Sequence, residues 1–292
     1  MNATPASLPG HAAMLLFAAL VSVSFSLGAR AAPHIDPAAL SAARFLIAAI
    51  AIGAIAAPRM RLKHFRATWR YPLLGGLLGG YFVLMFEALK LTDPISTGAI
   101  FTLTPIMTAG FAWLLMRQVT TGRMAVSLAL AGTGAIWVIF RGDIEAILGL
   151  ELGRGEAIFV IGCSFHALYA PLGRMLHRGE PVLVYTFGGL IGGFLVTGLY
   201  GARALAETNW TTLPPVVWIA LFYLALAATA VTLFLVLFAT LRLPSAKVMA
   251  YGYLVPSFVI LWEGLFAGVW VAAPVWLGVV ATIGALLLLL KD

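Results

Sequence analysis

Four side chains in the segment 94–116 share a spacing that suits solute binding. They follow one another at intervals of four, three and four residues: Thr97, Phe101, Thr104 and Thr108. Side chains at these intervals share one face of an α-helix. Three hydroxyl groups and an aromatic ring on one face can bind a small polar or aromatic solute. Alternatively, the threonines donate to backbone carbonyls of their own helix, and the spacing leaves both interpretations open.

His166 is the second candidate, because it lies near the middle of the apolar segment 155–176. Ionisable groups are costly at the centre of a bilayer, and those found there often belong to functional sites. Tyr169 lies on nearly the same helical face. We therefore expect His166 to line a binding pocket. A protonation switch and a neutral histidine hydrogen-bonded to a neighbouring helix are the alternatives.

Two prolines indicate where such a pocket would lie. Pro105 and Pro256 fall near the middles of the segments 94–116 and 245–267. A proline inside a helix removes a backbone hydrogen bond and kinks the helix. The freed carbonyl must face protein or a water-filled cavity rather than lipid. The pair predicts two conformational kinks beside a pocket at the middle of the membrane. The predicted substrate-binding residues are Ser22, Ser26, Tyr81, Thr97, Phe101, Thr104, His166, Tyr169 and Tyr251.

The elements that position these residues must lie in lipid. Of the 292 residues, 62% are hydrophobic and only 10% are charged, and the mean hydropathy is +1.02, whereas soluble domains carry about 25% charged residues. The net charge of +7 comes from basic residues in short loops, where they orient helices in a membrane. They form no continuous patch that suits nucleic acid. Cys163 is the single cysteine, so no internal disulfide can form.

Ten segments are long and apolar enough to cross a bilayer, which takes about 20 residues. The first lacks the preceding basic residues of a signal peptide, so we interpret it as a helix. Proline, glycine and charged residues separate the segments, and the connections are short. The chain is therefore predicted to be an all-α integral membrane protein with ten transmembrane helices. The segments are 12–32, 37–57, 72–91, 94–116, 124–141, 155–176, 181–202, 214–239, 245–267 and 272–290.

The distribution of Lys and Arg orients these segments. With a cytoplasmic N-terminus, twelve basic residues fall on the inner side and five on the outer side, and cytoplasmic loops carry the excess. Ten crossings then place both termini in the cytoplasm. Arg44 lies inside the second segment, and we expect it to snorkel to the outer interface. Glu87 and Lys90 are expected to pair, and Glu263 to make an interfacial or ion-pair contact. For each of these charged residues, Arg44 included, a role in gating or substrate contact is the alternative.

The ten segments divide into two similar sets of five, residues 1–146 and 147–292. Residues 99–105 resemble residues 250–256 at a shift of 151 residues, and three further short matches occur in the same order. Because five is an odd number, the second set must lie inverted in the membrane. Inverted repeats of this kind permit alternating access, in which a central site opens to one side at a time.

With these features the chain resembles the drug/metabolite transporter superfamily, in particular its ten-helix EamA-type bacterial exporters. The resemblance rests on two five-helix repeats, a basic loop at 59–70, Arg44 in the second segment and the two mid-membrane prolines. It implies export of small organic metabolites across the bacterial inner membrane, and the chain is most similar to exporters of amino acids, aromatic ones included. Family members commonly carry a glutamate near the ends of helices four and nine. Here Arg117-Gln118 stands at the first position and Glu263 at the second.

The sequence predicts a secondary transporter or facilitator rather than an enzyme. It contains no phosphate-binding loop of the form G-x-x-x-x-G-K-[ST], and no catalytic residue, metal ligand or cofactor is predicted. A membrane-embedded enzyme acting on a lipid or isoprenoid substrate is one alternative, and a channel is the other. The five histidines are scattered without an acidic cluster, which disfavours the enzyme, and the repeat disfavours a fixed pore. The expected partners are a small-molecule substrate and the bilayer, without nucleic acid, and both monomer and homodimer remain open.

Overall fold

A computed structural model describes residues 8–119, 121–149, 152–240, 242–243, 248 and 250–290. This part of the chain is helical and contains no strand. The main helices follow the predicted segments in order, with ends that differ by a few residues. Residues 244–247, at the start of the predicted ninth segment, lie outside the described residues. The main helices are α1 (Leu8–Ala31), α2 (Pro37–Ala56), α3 (Arg70–Leu89), α4 (Pro94–Met116), α5 (Gly122–Ile139), α6 (Arg154–Leu176), α7 (Val182–Tyr200), α8 (215–240), α9 (Tyr251–Ala267) and α10 (Val275–Leu290).

Length and composition separate these helices into two groups. Helices α1 to α7 are each long and apolar enough to cross a membrane. Three shorter apolar helical stretches follow, at Pro215–Val231, Tyr251–Ala267 and Val275–Leu288. Short helices and 3₁₀ turns occupy the connections, for example Leu62–Phe65 between α2 and α3. The described chain is thus a bundle of apolar helices with short links.

Helices α2 and α4 begin with the same kind of N-terminal cap, an aspartate followed by a proline. Asp36 precedes α2 and accepts hydrogen bonds from the backbone N–H groups of Ala38 and Ala39 at 2.8 and 3.2 Å. Asp93 precedes α4 and accepts from the second and third residues of that helix, both at 2.8 Å. In each case a proline follows the aspartate, where its missing N–H costs no hydrogen bond. Such caps contribute about 1 kcal/mol each and fix where α2 and α4 start.

Helices α4, α8 and α9 are interrupted near their middles or starts. In α4, a turn at residues 102–103 separates Pro94–Phe101 from Thr104–Met116. In α9, a 3₁₀ turn at Tyr251–Leu254 precedes the regular helix Val255–Ala267. Pro105 and Pro256 each lie in the first turn after the interruption, where a proline is tolerated. Helix α8 contains a π-helical stretch, Tyr223–Val231, of a kind frequent at functional sites.

Glycines bring two pairs of helices into backbone contact. Between α5 and α10, a side chain added at Gly134 would lie 2.8 Å from the carbonyl oxygen of Gly278. Between α3 and α7, a side chain added at Gly75 would collide with the backbone of Gly193. Small residues allow this close approach in membrane helices. The four helices are thereby fixed as two tight pairs.

The buried side chains form one central group and several smaller ones. The central group includes Phe25, Tyr81 and Phe101 and draws on α1, α2, α3, α4, α6, α8 and α9. A second group includes Met14 and Tyr251 and draws on α1, α5, α8, α9 and α10. These groups place the predicted pocket residues in two separate parts of the bundle.

Candidate substrate site

Three aromatic side chains from three helices meet near the middle of the bundle. The ring centroids of Tyr81 (α3) and His166 (α6) are 4.8 Å apart, and the Phe101 ring of α4 lies 5.4 Å from His166 and 6.2 Å from Tyr81. These separations are typical of interacting rings. Phe25 of α1 and Phe159 of α6 extend the group through edge contacts. We call these five residues the aromatic cluster, and three of them are predicted substrate-binding residues.

Polar atoms without a protein partner border the aromatic cluster. The Nδ1 atom of His166 is buried and has no hydrogen-bond partner among the described residues, and the same holds for the hydroxyl of Thr104, which approaches the Cys163 thiol. The Thr108 hydroxyl donates to the Ala167 carbonyl at 3.3 Å. A buried polar atom left unpaired costs roughly 1–3 kcal/mol. Such atoms are available to a polar solute that enters between the helices.

The two serines of α1 lie deep in the protein. Ser22 is fully buried; its hydroxyl donates to the Ala19 carbonyl at 2.7 Å and accepts from the indole N–H of Trp262 at 2.8 Å. Ser22 therefore ties α1 to α9. The Ser26 hydroxyl is buried without a partner among the described residues, one turn further along the same helix. Of the two, Ser26 has the unused hydrogen-bonding capacity.

Thr97 and Tyr169 interact with groups other than the rings of the aromatic cluster. The Thr97 hydroxyl donates to the carbonyls of Asp93 and Pro94 at 3.2 and 3.0 Å, which matches the alternative in which a threonine satisfies its own helix. Tyr169 is half-buried on α6 and lies within electrostatic range of Tyr185 on α7. Whether either side chain contacts a solute stays a prediction.

Tyr251 belongs to a different part of the bundle. Its hydroxyl lies 2.7 Å from Nδ1 of His11 near the start of α1, and its ring packs in the group that contains Met14 and Leu128. The structure therefore does not bring Tyr251 into the aromatic cluster. This contact was not foreseen, because His11 precedes the predicted first segment and nothing in the spacing links it to α9.

Arg44 does not snorkel to an interface, so that expectation is wrong. Its side chain is buried, with 1% of the residue exposed, and its guanidinium lies 3.6 Å from the centre of the Phe82 ring. Nε and Nη2 donate to the Thr229 hydroxyl at 3.1 and 2.9 Å. Helix α8 covers this part of α2, and the sequence alone could not show that cover.

Two ion pairs join distant parts of the chain at opposite ends of the bundle. At the end that holds the loops 57–69 and 177–181, which we call the basic end, Arg70 and Glu180 pair at 2.8 Å, and each side chain is 2% exposed. At the other end, Arg30 and Glu263 pair at 3.3 Å and are more exposed. The ion-pair alternative for Glu263 is confirmed. The buried pair at the basic end was not predicted.

The Glu180 carboxylate lies in the loop between α6 and α7. Burial alone would raise the pKa of this carboxyl, but hydrogen bonds from the backbone N–H groups of Glu180 and Arg178 and from the Arg70 guanidinium outweigh burial. The net pKa is lower than the usual 4.5. Arg70 also donates to the Ala67 carbonyl at 3.1 Å. At neutral pH the Glu180 carboxyl is therefore ionised, and Arg70 donates both to this carboxylate and to a backbone carbonyl.

The end opposite the basic end is open to a cavity of about 260 Å³. Asp93, Arg141, Glu263 and Trp270 line it, and Arg141 pairs with Asp93 at 2.9 Å. At the same end, Glu87 and Lys90 pair at 3.4 Å, as predicted. Among the described residues, no group of three or more His, Cys, Asp or Glu side chains is placed to hold a metal ion.

The apolar helices define a multi-pass membrane protein that is helical throughout the part of the chain that the structure describes. The chain belongs to the EamA-like transporter family, whose sequence pattern matches residues 8–140 and 153–291. It is therefore a membrane transporter.

A curated protein and a solved structure are among the proteins similar to the chain. The uncharacterized transporter YyaM of Bacillus subtilis (strain 168) is 27% identical over 219 residues, which cover 73% of this chain and 71% of that protein. A protein of known crystal structure matches with a TM-score of 0.68 and 18% identity, over 98% of this chain and 96% of its own. At that identity the likeness extends to the fold alone.

Proposed function

We propose that this transporter exports small organic metabolites, in particular amino acids with aromatic side chains, across the bacterial inner membrane. The observation that carries the proposal is the aromatic cluster, with the unpartnered Nδ1 of His166 beside it. Rings from α3, α4 and α6 offer faces and edges to an aromatic solute, and the polar atom offers it a hydrogen bond.

Ten membrane crossings in two inverted halves, residues 1–146 and 147–292, form the second part of the proposal. The packing of the helices supports it. Helix α1 contacts α8 and α9, while its counterpart α6 contacts α3 and α4. The first helix of each half therefore packs against the third and fourth helices of the other half, as expected for two related halves. The family pattern matches one stretch in each half. The interruptions before Pro105 and Pro256 occur at matching positions.

Alternating access is the third part of the proposal, and the two ion pairs support it. Arg70–Glu180 and Arg30–Glu263 each join one half of the chain to the other, at opposite ends of the bundle. A solute in the aromatic cluster reaches the cytoplasm only if the first pair separates, and the outside only if the second separates. The basic end faces the cytoplasm in this proposal, which places both termini there.

Transport in reconstituted vesicles tests the proposed function. Purified protein in proteoliposomes is expected to exchange radiolabelled L-phenylalanine with saturable, stereoselective kinetics. His166→Ala is expected to raise the KM for exchange because it removes one wall of the aromatic cluster. His34→Ala, on an exposed connection between α1 and α2, is the matched control and should match the wild type.

Three results would contradict this proposal in different ways. Flux that rises linearly with concentration would indicate a channel. Recovery of a chemically converted product would indicate an enzyme. Saturable exchange that is equal in wild type and His166→Ala would leave the transporter in place but remove the aromatic cluster from its substrate site.

A further inference from the structure

Two arginines of this chain are equally buried but differ in their partners. Arg70 and Arg44 are 2% and 1% exposed. Arg70 has the Glu180 carboxylate at 2.8 Å. Arg44 has no carboxylate within ion-pair distance among the described residues, and its buried Nη1 has no hydrogen-bond partner there. A buried charge without a counter-ion is costly and is rarely kept in a membrane helix without a function.

The surroundings hold the Arg44 guanidinium in one orientation. Phe82 covers one face of the guanidinium at 3.6 Å. On one edge, Nε and Nη2 both donate to the Thr229 hydroxyl, and Nη2 also reaches the Ala228 carbonyl at 3.4 Å. Nη1 is the one guanidinium nitrogen without a hydrogen-bond partner among the described residues. A rigid guanidinium with one unpaired N–H group is suited to donate a hydrogen bond to a carboxylate oxygen.

Arg44 also borders the aromatic cluster. The Phe82 ring that supports it lies 4.9 Å from the Tyr81 ring, and Arg44 is within electrostatic range of the Tyr81 side chain. Tyr81 in turn contacts His166. Arg44 lies seven residues into α2, which is about 10 Å from the start of that helix. A solute with its ring in the aromatic cluster can therefore direct an acidic group toward Arg44.

We infer that Arg44 is the residue that selects substrates with a carboxylate, by binding that group through its free Nη1. The inference rests on the proposed function and names the substrate class for the same site. Anionic and zwitterionic aromatic acids are accepted, and an aromatic amine without the acid is rejected. Thr229 and Phe82 position the guanidinium and do not themselves select the solute.

Three related probes separate the contribution of each group. L-Phenylalanine carries ring, amine and carboxylate; 3-phenylpropionate lacks the amine; phenethylamine lacks the carboxylate. In proteoliposomes, the wild type is expected to exchange the two acids and to bind the amine about tenfold or more weakly. Arg44→Lys keeps the charge but loses the planar fork. It is expected to raise the KM for both acids about tenfold and to leave that for the amine unchanged.

Arg203→Lys is the matched control, because Arg203 is exposed in its pair with Glu207, and it should behave as wild type with all three probes. Thermal stabilisation of the wild type by each probe gives a second measurement that needs no variant. Stabilisation by 3-phenylpropionate but not by phenethylamine is expected.

Two outcomes would overturn the inference while leaving transport intact. One is equal exchange and equal stabilisation by the amine and the acids. The other is an Arg44→Lys variant that loses acid and amine transport in the same proportion, as a packing role would give. Absence of saturable exchange for all three probes is a distinct result, and it would overturn the proposed substrate range together with the inference.

Discussion

Replacement of Glu180 by glutamine tests whether the buried ion pair keeps the basic end closed. Glu180→Gln removes the charge but keeps the size of the side chain and one oxygen acceptor. Arg70 then remains buried with neutral acceptors only, among them the Ala67 carbonyl. We expect the basic end to open more often and the folded protein to lose stability.

The size of the effect follows from burial. Removal of one partner from a buried ion pair costs about 3–5 kcal/mol. Because glutamine retains an acceptor for the N–H of Arg178 and Arg70 retains its carbonyl partners, we expect the lower limit, about 3 kcal/mol. Each 1.4 kcal/mol changes an equilibrium constant tenfold, so the population of the closed state falls about a hundredfold relative to open forms.

Hydrogen–deuterium exchange measures this opening directly, since amide protection reports the free energy of local opening. Amides in 176–185 and 67–74 are expected to exchange about a hundredfold faster in Glu180→Gln. Glu207→Gln breaks the exposed pair Arg203–Glu207, with side chains 89% and 63% exposed, and should change stability by less than about 1 kcal/mol. Equal exchange in both variants and the wild type would refute the assignment of Arg70–Glu180 as the closure of the basic end.

Three further predictions concern pH, the helix interruptions and the second buried group. The lowered pKa of Glu180 means that its stabilising contribution is present above the usual 4.5 and is lost as pH falls through the lower folded value. The difference in melting temperature between wild type and Glu180→Gln should therefore be constant from pH 7 to 5 and shrink below pH 4.5; a difference independent of pH would contradict the pair. Pro105→Ala is expected to lower the turnover number more than it changes KM, since it allows a continuous helix; unchanged turnover would leave the interruption purely structural. Tyr251→Phe removes the hydrogen bond to His11, which contributes about 1 kcal/mol, and is expected to lower exchange at unchanged insertion; wild-type flux would remove Tyr251 from the transport pathway.

Local chemistry made the helices predictable. The apolar segments follow from composition alone, because a bilayer core demands runs of apolar residues. The Asp-Pro sequences at Asp36 and Asp93 fix two helix starts through side-chain caps. His166 stood out because a histidine near the middle of an apolar segment is unusual. Each of these signals lies within a single stretch of sequence.

The partners across the bundle were not predictable in the same way. In sequence, Arg44 lies inside an apolar segment and Arg70 at the end of a basic loop, and neither position indicates what the side chain contacts. Their difference depends on which helix covers them and on whether that helix carries a carboxylate. The contact of Tyr251 with His11 likewise joins residues 240 positions apart. Side-chain pairing between distant helices has no periodic pattern, so a single sequence does not reveal it.

The π-helical stretch of α8 has a consequence for the history of this protein. The Thr229 hydroxyl donates to the carbonyl of Leu224, five residues earlier, as the wider turn allows. A wider turn holds one residue more than a regular one, so it can arise by insertion of a single codon and disappear by deletion of one. Such a deletion before Thr229 would restore a regular α-helical turn and leave the flanking residues of α8 on the faces that they now occupy. The Thr229 hydroxyl would then lose the carbonyl five residues earlier as its acceptor, so the way α8 holds the Arg44 guanidinium depends on a single residue of chain length.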